Sequence, residues 1–185
     1  MECVLAMIGL EPRSLSWIIP HRLAIAERPG GAGRAHRRIR REEEICWLSK
    51  NGFEAIISFR VSPHNLDAYE QLGLNVVHVP VGAGKAIRHL SVIFEVLDSL
   101  LRVQEKKTLA HCDDIDDQLV GMFGAYLLHL GLVEDHPQAV ATIEALTYRP
   151  LGPEGRALIQ SVSPKAAVSR VPRESVFPKT TPPQL

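Results

Sequence analysis

An α/β domain with helices on both faces of a sheet is predicted by two observations. Short runs of apolar and β-branched residues alternate with longer segments of helical periodicity, and Gly, Pro and Asn punctuate the joins. Residues 15–26 (LSWIIPHRLAIA) read as two short strands around a turn at Pro20-His21. The glycine-rich stretch 28–34 is a loop, and 35–51 is a helix with Ile39, Ile45, Cys46 and Leu48 near one face and Asn51-Gly52 as its stop. A buried strand at 54–59, a short helix at 65–72 ending at Gly73, and a strand at 75–79 stopped by Pro80 come next.

The loop 81–85 (VGAGK) leads into a long amphipathic helix, 86–104, with Leu90, Ile93, Phe94, Leu97 and Leu101 at helical spacing. Lys106-Lys107 precede a strand at 108–111. Helices are expected at 118–130, where Gly131 ends the first, at 137–146 and at 153–162. The organisation expected is an N-terminal segment 1–14, one domain over 15–162 and a Pro-rich, disordered tail 163–185 that holds five prolines.

The 185 residues carry a formal net charge of zero, so no global field favours nucleic acid or an anionic membrane. No apolar run reaches the roughly 18 residues of a spanning helix, and residues 1–10 lack the basic start of a signal peptide. The three cysteines, Cys3, Cys46 and Cys112, show neither a disulfide framework nor zinc spacing, which points to a reduced, cytoplasmic protein.

The most informative stretch is Ala110-His111-Cys112-Asp113-Asp114-Ile115-Asp116-Asp117-Gln118. A cysteine on a short loop before a helix can have its thiol pKa lowered by the helix N-terminus, whose free N–H groups also bind phosphate. Four carboxylates stand where that anion would sit. Two like charges at ~4 Å repel by about 4 kcal/mol at an effective dielectric near 20, against the roughly 0.3–1 kcal/mol a helix terminus supplies.

The order of these pieces resembles the cysteine-dependent dual-specificity phosphatases, the small atypical ones in particular. Ser16-Trp17-Ile18-Ile19-Pro20-His21-Arg22-Leu23-Ala24 is similar to that family's N-terminal "SWV-P-G-LA" segment. Residues 76–80 look like the strand before its general-acid loop. His111-Cys112, five residues and Gln118 resemble its His-Cys-x5-Arg signature, and 122–132 the helix after it. Tyr148-Arg149-Pro150 and Gln160 resemble its "RP…Q" segment. The resemblance spans about 15–162. It implies a three-layer domain with a central, mostly parallel sheet of four or five strands.

In that family a cysteine thiolate attacks phosphorus, an arginine clamps the phosphate oxygens, a loop aspartate protonates the leaving group and a Ser/Thr assists the thiolate. The resemblance places Cys112 at the nucleophile and His111 at the residue orienting the loop. The arginine position holds Gln118, which has no bidentate fork. The Ser/Thr position is Leu119, and the loop-glycine position is Ile115, where the backbone is expected to suit Ile poorly. Val81-Gly82 stand where the acid belongs. The aspartates Asp113, Asp114, Asp116 and Asp117 are expected to raise the Cys112 pKa.

The reading that follows is a catalytically impaired phosphatase-like protein, a pseudophosphatase, that binds a protein, a phosphorylated partner or another ligand and needs no cofactor. The alternatives are a divergent phosphatase using Cys112, or a phosphoester hydrolase using a divalent metal on Asp113, Asp116 and Asp117. The string DDIDD also fits the DDxxD pattern of prenyl-diphosphate enzymes, but a second acidic motif and an all-helical pattern are lacking. Gly82-Ala83-Gly84-Lys85 lacks full nucleotide-loop spacing. The basic run Arg34, Arg37, Arg38, Arg40 and Arg41 could contact an anionic partner, RNA or the acidic loop. Its plainer reading is a solvated helix face with Arg38–Glu42 and Arg40–Glu44 pairs. His21, His36, His64, His78, His89, His129 and His136 show no ligand spacing.

Overall fold

The computed structural model describes residues 9–164. Along them run β1 (Ser16–Ile19), β2 (Leu23–Glu27), α1 (Arg38–Lys50), β3 (Ala55–Ser58), α2 (Asp67–Glu70), β4 (Asn75–His78), α3 (Leu90–Asp98), β5 (Thr108–Cys112), α4 (Asp117–His129), α5 (His136–Thr147) and α6 (Pro153–Gln160). The sheet order is β1-β2-β5-β3-β4. β1 is antiparallel to β2, and the other pairings are parallel. β5, the last strand to enter, therefore fills the central slot between β2 and β3. This matches the expected three-layer α/β domain.

Strand alternation splits the core into two layers. Ile25, Ile57 and Ala110 face a cluster built with α3, α4, α5 and α6. Ala24, Ala26, Ile56 and Leu109 face Ile45 and Leu48 of α1 and Tyr69 of α2. α4 is buried continuously from Gln118 to Leu128, as a helix apolar on nearly every side must be. Phe123 and Tyr126 are fully buried on it, each side chain contributing about 1.5–3 kcal/mol. Gly121 permits a close crossing with α6, because a Cβ there would come within 2.7 Å of the Gly155 carbonyl oxygen. Asp135 caps α5 by accepting from the Gln138 N–H at 2.8 Å.

Several boundaries shift. The helix expected over 35–51 begins at Arg38, after a 3₁₀ turn at Gly33–Ala35. Ile39 is 71 % exposed rather than on the buried face, because it stands in the first turn, before the helix reaches the sheet. The expected 86–104 helix is three pieces: a 3₁₀ turn Ala86–Arg88, α3, and a π-helical stretch Ser99–Val103. Its apolar stripe of Leu90, Ile93, Phe94, Leu97 and Leu101 is buried as expected. Arg38–Glu42 and Arg40–Glu44 form at 2.7 and 2.6 Å, and buried Glu44 also accepts from the Gly30 N–H. In the segment before β1, the Leu10 N–H donates to the Glu43 carbonyl. Residues 165–185 of the tail lie outside the described residues. Among the described residues no helix is long and apolar enough to cross a membrane.

Candidate functional site at the end of the central strand

In an open, mostly parallel sheet the crevice beyond the carboxyl ends of the strands is where ligands bind. Here it is framed by β2, β5 and β3. Glu27 pairs with Cys112, and Ser58 with His111, so Arg28 and Arg60 stand just past the strand ends on either side of Cys112-Asp113. Beyond Cys112 the chain turns into α4, whose N-cap is Asp116, with its Oδ1 accepting from the Leu119 N–H at 2.8 Å. The Arg149 guanidinium donates to the Ile115 carbonyl at 2.9 Å and ties the loop to the α5–α6 connection. Ile115 is 5 % exposed and packs into the core. It is not among the residues with positive φ, so the poorly suited backbone expected at this position is not what the loop adopts.

The four aspartates do not form the anion-facing ring that their spacing suggests. Asp113 Oδ1 lies 2.6 Å from Arg60 Nε and 3.8 Å from an Arg28 terminal nitrogen. Asp114 is exposed. Asp116 is spent on the α4 cap. Asp117 reaches the start of α6, where its two oxygens accept from the Gly152 and Gly155 N–H groups at 2.6 and 2.8 Å. α6 has no cap of its own, so Asp117 supplies one from across the crossing. The trio named for a metal, Asp113, Asp116 and Asp117, is thus turned to three different partners. Among the described residues no group of three or more His, Cys, Asp or Glu is placed to hold a metal ion.

Gln118 is turned inward. Its Oε1 accepts from the Ala86 N–H at 3.2 Å, and its amide nitrogen donates to the Gly82 carbonyl at 3.4 Å. It therefore bolts the glycine-rich loop to α4. The same loop is pinned at its other end, where the Val81 N–H donates to the Phe59 carbonyl and the Val81 side chain is buried.

Cys112 is half-buried and free. Burial pushes its thiol pKa up; Asp116 and Asp113 add to this, while the Asp113 N–H and Arg60 oppose it. The direction is the expected one, but desolvation leads and the carboxylates follow. His111 is fully buried, with the Tyr69 hydroxyl 3.2 Å from Nε2. Burial first, and then Arg60 and Arg28, hold it neutral with a pKa near 3. Such an imidazole cannot offer a positive charge to the thiol at neutral pH.

Sequence reasoning missed Arg28, Arg60 and Tyr69. The basic run 34–41 is the cationic feature that stands out in the sequence, yet the arginines that meet the acidic loop come from the strand ends. Their signal was positional: each is the first charged residue after a strand adjacent to the central one.

No protein-family model and no curated protein matches the sequence. Solved structures do match. Kinase-associated phosphatase, in a variant with its catalytic-site cysteine replaced by serine, is 21 % identical, covers 82 % of this chain and 94 % of its own, and superposes with a TM-score of 0.66. Tk-PTP in its active form is 20 % identical over 80 % of this chain and 93 % of its own, with a TM-score of 0.61. The fold is that of the cysteine-dependent tyrosine phosphatases. A third neighbour is the human tyrosine phosphatase-like serine/threonine/tyrosine-interacting protein, 14 % identical over 79 % of this chain and 93 % of its own, with a TM-score of 0.56.

On this phosphatase fold the residues of the resemblance take definite places. Cys112 follows the central strand, α4 follows the Cys112 loop, and Arg149 braces that loop. Gln118, at the arginine position, is 8 % exposed. Leu119, at the Ser/Thr position, is core. Val81, where a general acid would stand, is core as well.

Proposed function

We propose that this chain is a catalytically impaired phosphatase-like protein that acts by binding a protein or another ligand. One observation carries the reading: the side chain at the arginine position, Gln118, is committed to Ala86 and Gly82. It has neither the charge nor the free orientation to clamp phosphate oxygens. Two others support it. Burial raises the Cys112 thiol pKa, which favours the protonated form at neutral pH, and Val81-Gly82 stand directly after Pro80, where the general-acid aspartate would fall. One neighbour on this fold is described as an interacting protein, so a binding role has a precedent there. The setting we infer is cytoplasmic, because Cys3, Cys46 and Cys112 are odd in number and far apart in the sequence, without the spacing of a disulfide framework.

A divergent phosphatase is the second reading, and Arg28 and Arg60 favour it, since they bring guanidinium groups to the Cys112 loop from outside the signature. Hydrolysis of p-nitrophenyl phosphate, with and without Mg²⁺ or Mn²⁺ and with Cys112→Ser as control, separates the readings. No turnover under any condition is expected. Turnover lost in Cys112→Ser would install the divergent phosphatase. Turnover that needs metal and survives Cys112→Ser would install the metal-assisted hydrolase.

A further inference from the structure

Arg28 and Arg60 form an unusual pair. Their side chains are only 8 % and 11 % exposed, and the two stand just past the ends of different strands, β2 and β3. The partners of Arg28 are distant: Asp113 at 3.8 Å and the His64 carbonyl at 3.5 Å. Arg60 is better held, by Asp113 at 2.6 Å and, more loosely, by the Ser62 and His64 carbonyls at 3.4 and 3.3 Å. Arg41, on α1, adds a third guanidinium to the same electrostatic neighbourhood, and its Nε is buried without a hydrogen-bond partner among the described residues. The nearby Glu44 is already engaged by Arg40 and the Gly30 N–H. Among the described residues a single carboxylate, Asp113, is left to face this positive charge, and its own side chain is 45 % exposed. Burial and repulsion from Arg60 still push the Arg28 pKa down with Asp113 in place. Buried guanidinium groups require counter-charge, and one monoanion, in good contact with only one of them, undersupplies it.

We propose that Arg28 and Arg60 form a binding site for a phosphate-class dianion, and that Asp113 is its intramolecular occupant, displaced when the ligand enters. The site is distinct from a cradle made by the Cys112 loop: its donors come from the ends of β2 and β3, on the sheet face that carries α1 and α2. The planar forks of two arginines suit a tetrahedral oxyanion. The half-exposed Asp113 can swing outward, because among the described residues its carboxylate is held only by the two arginines. The inference rests on the reading of the chain as a binder and names the ligand class it would take.

Titration of inorganic phosphate into the full chain, followed by calorimetry and by amide chemical shifts, tests it, with acetate as a monoanionic control. Wild type is expected to bind phosphate in preference to acetate. Asp113→Asn, which removes the competing charge, is expected to tighten phosphate binding about tenfold, and Arg60→Gln to weaken it about tenfold or more. Arg60→Lys keeps the charge without the fork and is expected to fall between, which guards against misfolding of the glutamine variant. Cys112→Ser is expected to bind as wild type does. Equal binding of phosphate by wild type, Asp113→Asn and Arg60→Gln would overturn the site, as would loss of binding in Cys112→Ser. Turnover of p-nitrophenyl phosphate by wild type would defeat the impaired-phosphatase reading and leave this site standing, so the two failures are distinguishable.

Discussion

Gln118→Arg restores the residue that the phosphatase resemblance expects, and the structure predicts that it restores no activity and destabilises the fold. Gln118 both accepts and donates: it takes the Ala86 N–H and gives to the Gly82 carbonyl. Arginine has five donors and no acceptor. The substitution therefore keeps at most the weaker contact and leaves the N–H of Ala86, a residue 1 % exposed, without a partner. An unsatisfied buried donor costs about 1–3 kcal/mol. For a domain of this size 2 kcal/mol lowers Tm by roughly 4–8 °C. The chemistry stays absent, because an arginine supplies neither a thiolate nor a leaving-group acid, and general acid catalysis alone is worth about 10²–10⁴ in rate. The assay is p-nitrophenyl phosphate turnover by Gln118→Arg, with the Cys112→Ser double variant as control, beside a calorimetric melt. Cysteine-dependent turnover with an unchanged Tm would show that the side chain at 118 can leave Ala86 at no cost and that the missing groups are not needed, and both steps of the reasoning would fall.

Three other outcomes follow from the same geometry. Asp117→Ala removes both acceptors at the start of α6 and is expected to lower unfolding stability in urea by about 2–3 kcal/mol; a loss under 0.5 kcal/mol would mean that the 2.6 and 2.8 Å bonds are replaced by water at no cost. Alkylation of Cys112 by iodoacetamide, read on its peptide by mass spectrometry, should have its pH midpoint above that of the denatured chain, since burial raises the thiol pKa; a lower midpoint would make it an activated nucleophile. His111, near 3 when folded against about 6.5 when unfolded, binds its proton more readily in the unfolded chain. Its contribution is therefore full above pH 6.5 and is lost as pH falls toward 3, by up to about 4–5 kcal/mol. His111→Asn should remove that component of the acid slope, and an identical pH–stability curve in the variant would contradict the neutral buried imidazole.

The alternation of short apolar runs with helical periodicity is enough to place every strand to within a residue or two, because β2, β3 and β5 are buried on both faces and the edge strands β1 and β4 are half-buried, so all five read as short apolar runs. The helix before β5 was less legible. Its apolar stripe from Leu90 to Leu101 is continuous, but periodicity does not register the change of winding at Ser99. At the site, Cys112 and His111 are legible because they close a strand just ahead of the loop that enters a helix. The roles of the aspartates were not. Asp116 and Asp117 are adjacent in sequence, yet one caps its own helix and the other reaches 35 residues onward to Gly152, a pairing set by the glycine crossing of α4 on α6. Arg28 and Arg60 were invisible as a pair because 32 residues and a helix separate them, and only the strand order brings β2 and β3 to the two sides of β5.

The acidic loop is more than a repulsive substitute for a phosphate cradle, because the fold uses its charges. A cradle at the head of α4 needs free backbone N–H groups there, and Asp116 already takes that of Leu119. Neutralising Asp116 would free the donor at the expense of the helix cap, about 0.5–2 kcal/mol, and would not move Gln118, which is held by Ala86 and Gly82. Neutralising Asp117 would free no loop donor at all, since its partners are Gly152 and Gly155. Asp113 alone has a partner whose release exposes something new, the guanidinium groups of Arg60 and Arg28. Of the four carboxylates it is therefore the one whose charge bears on a ligand, while Asp116 and Asp117 hold the two helices that position it.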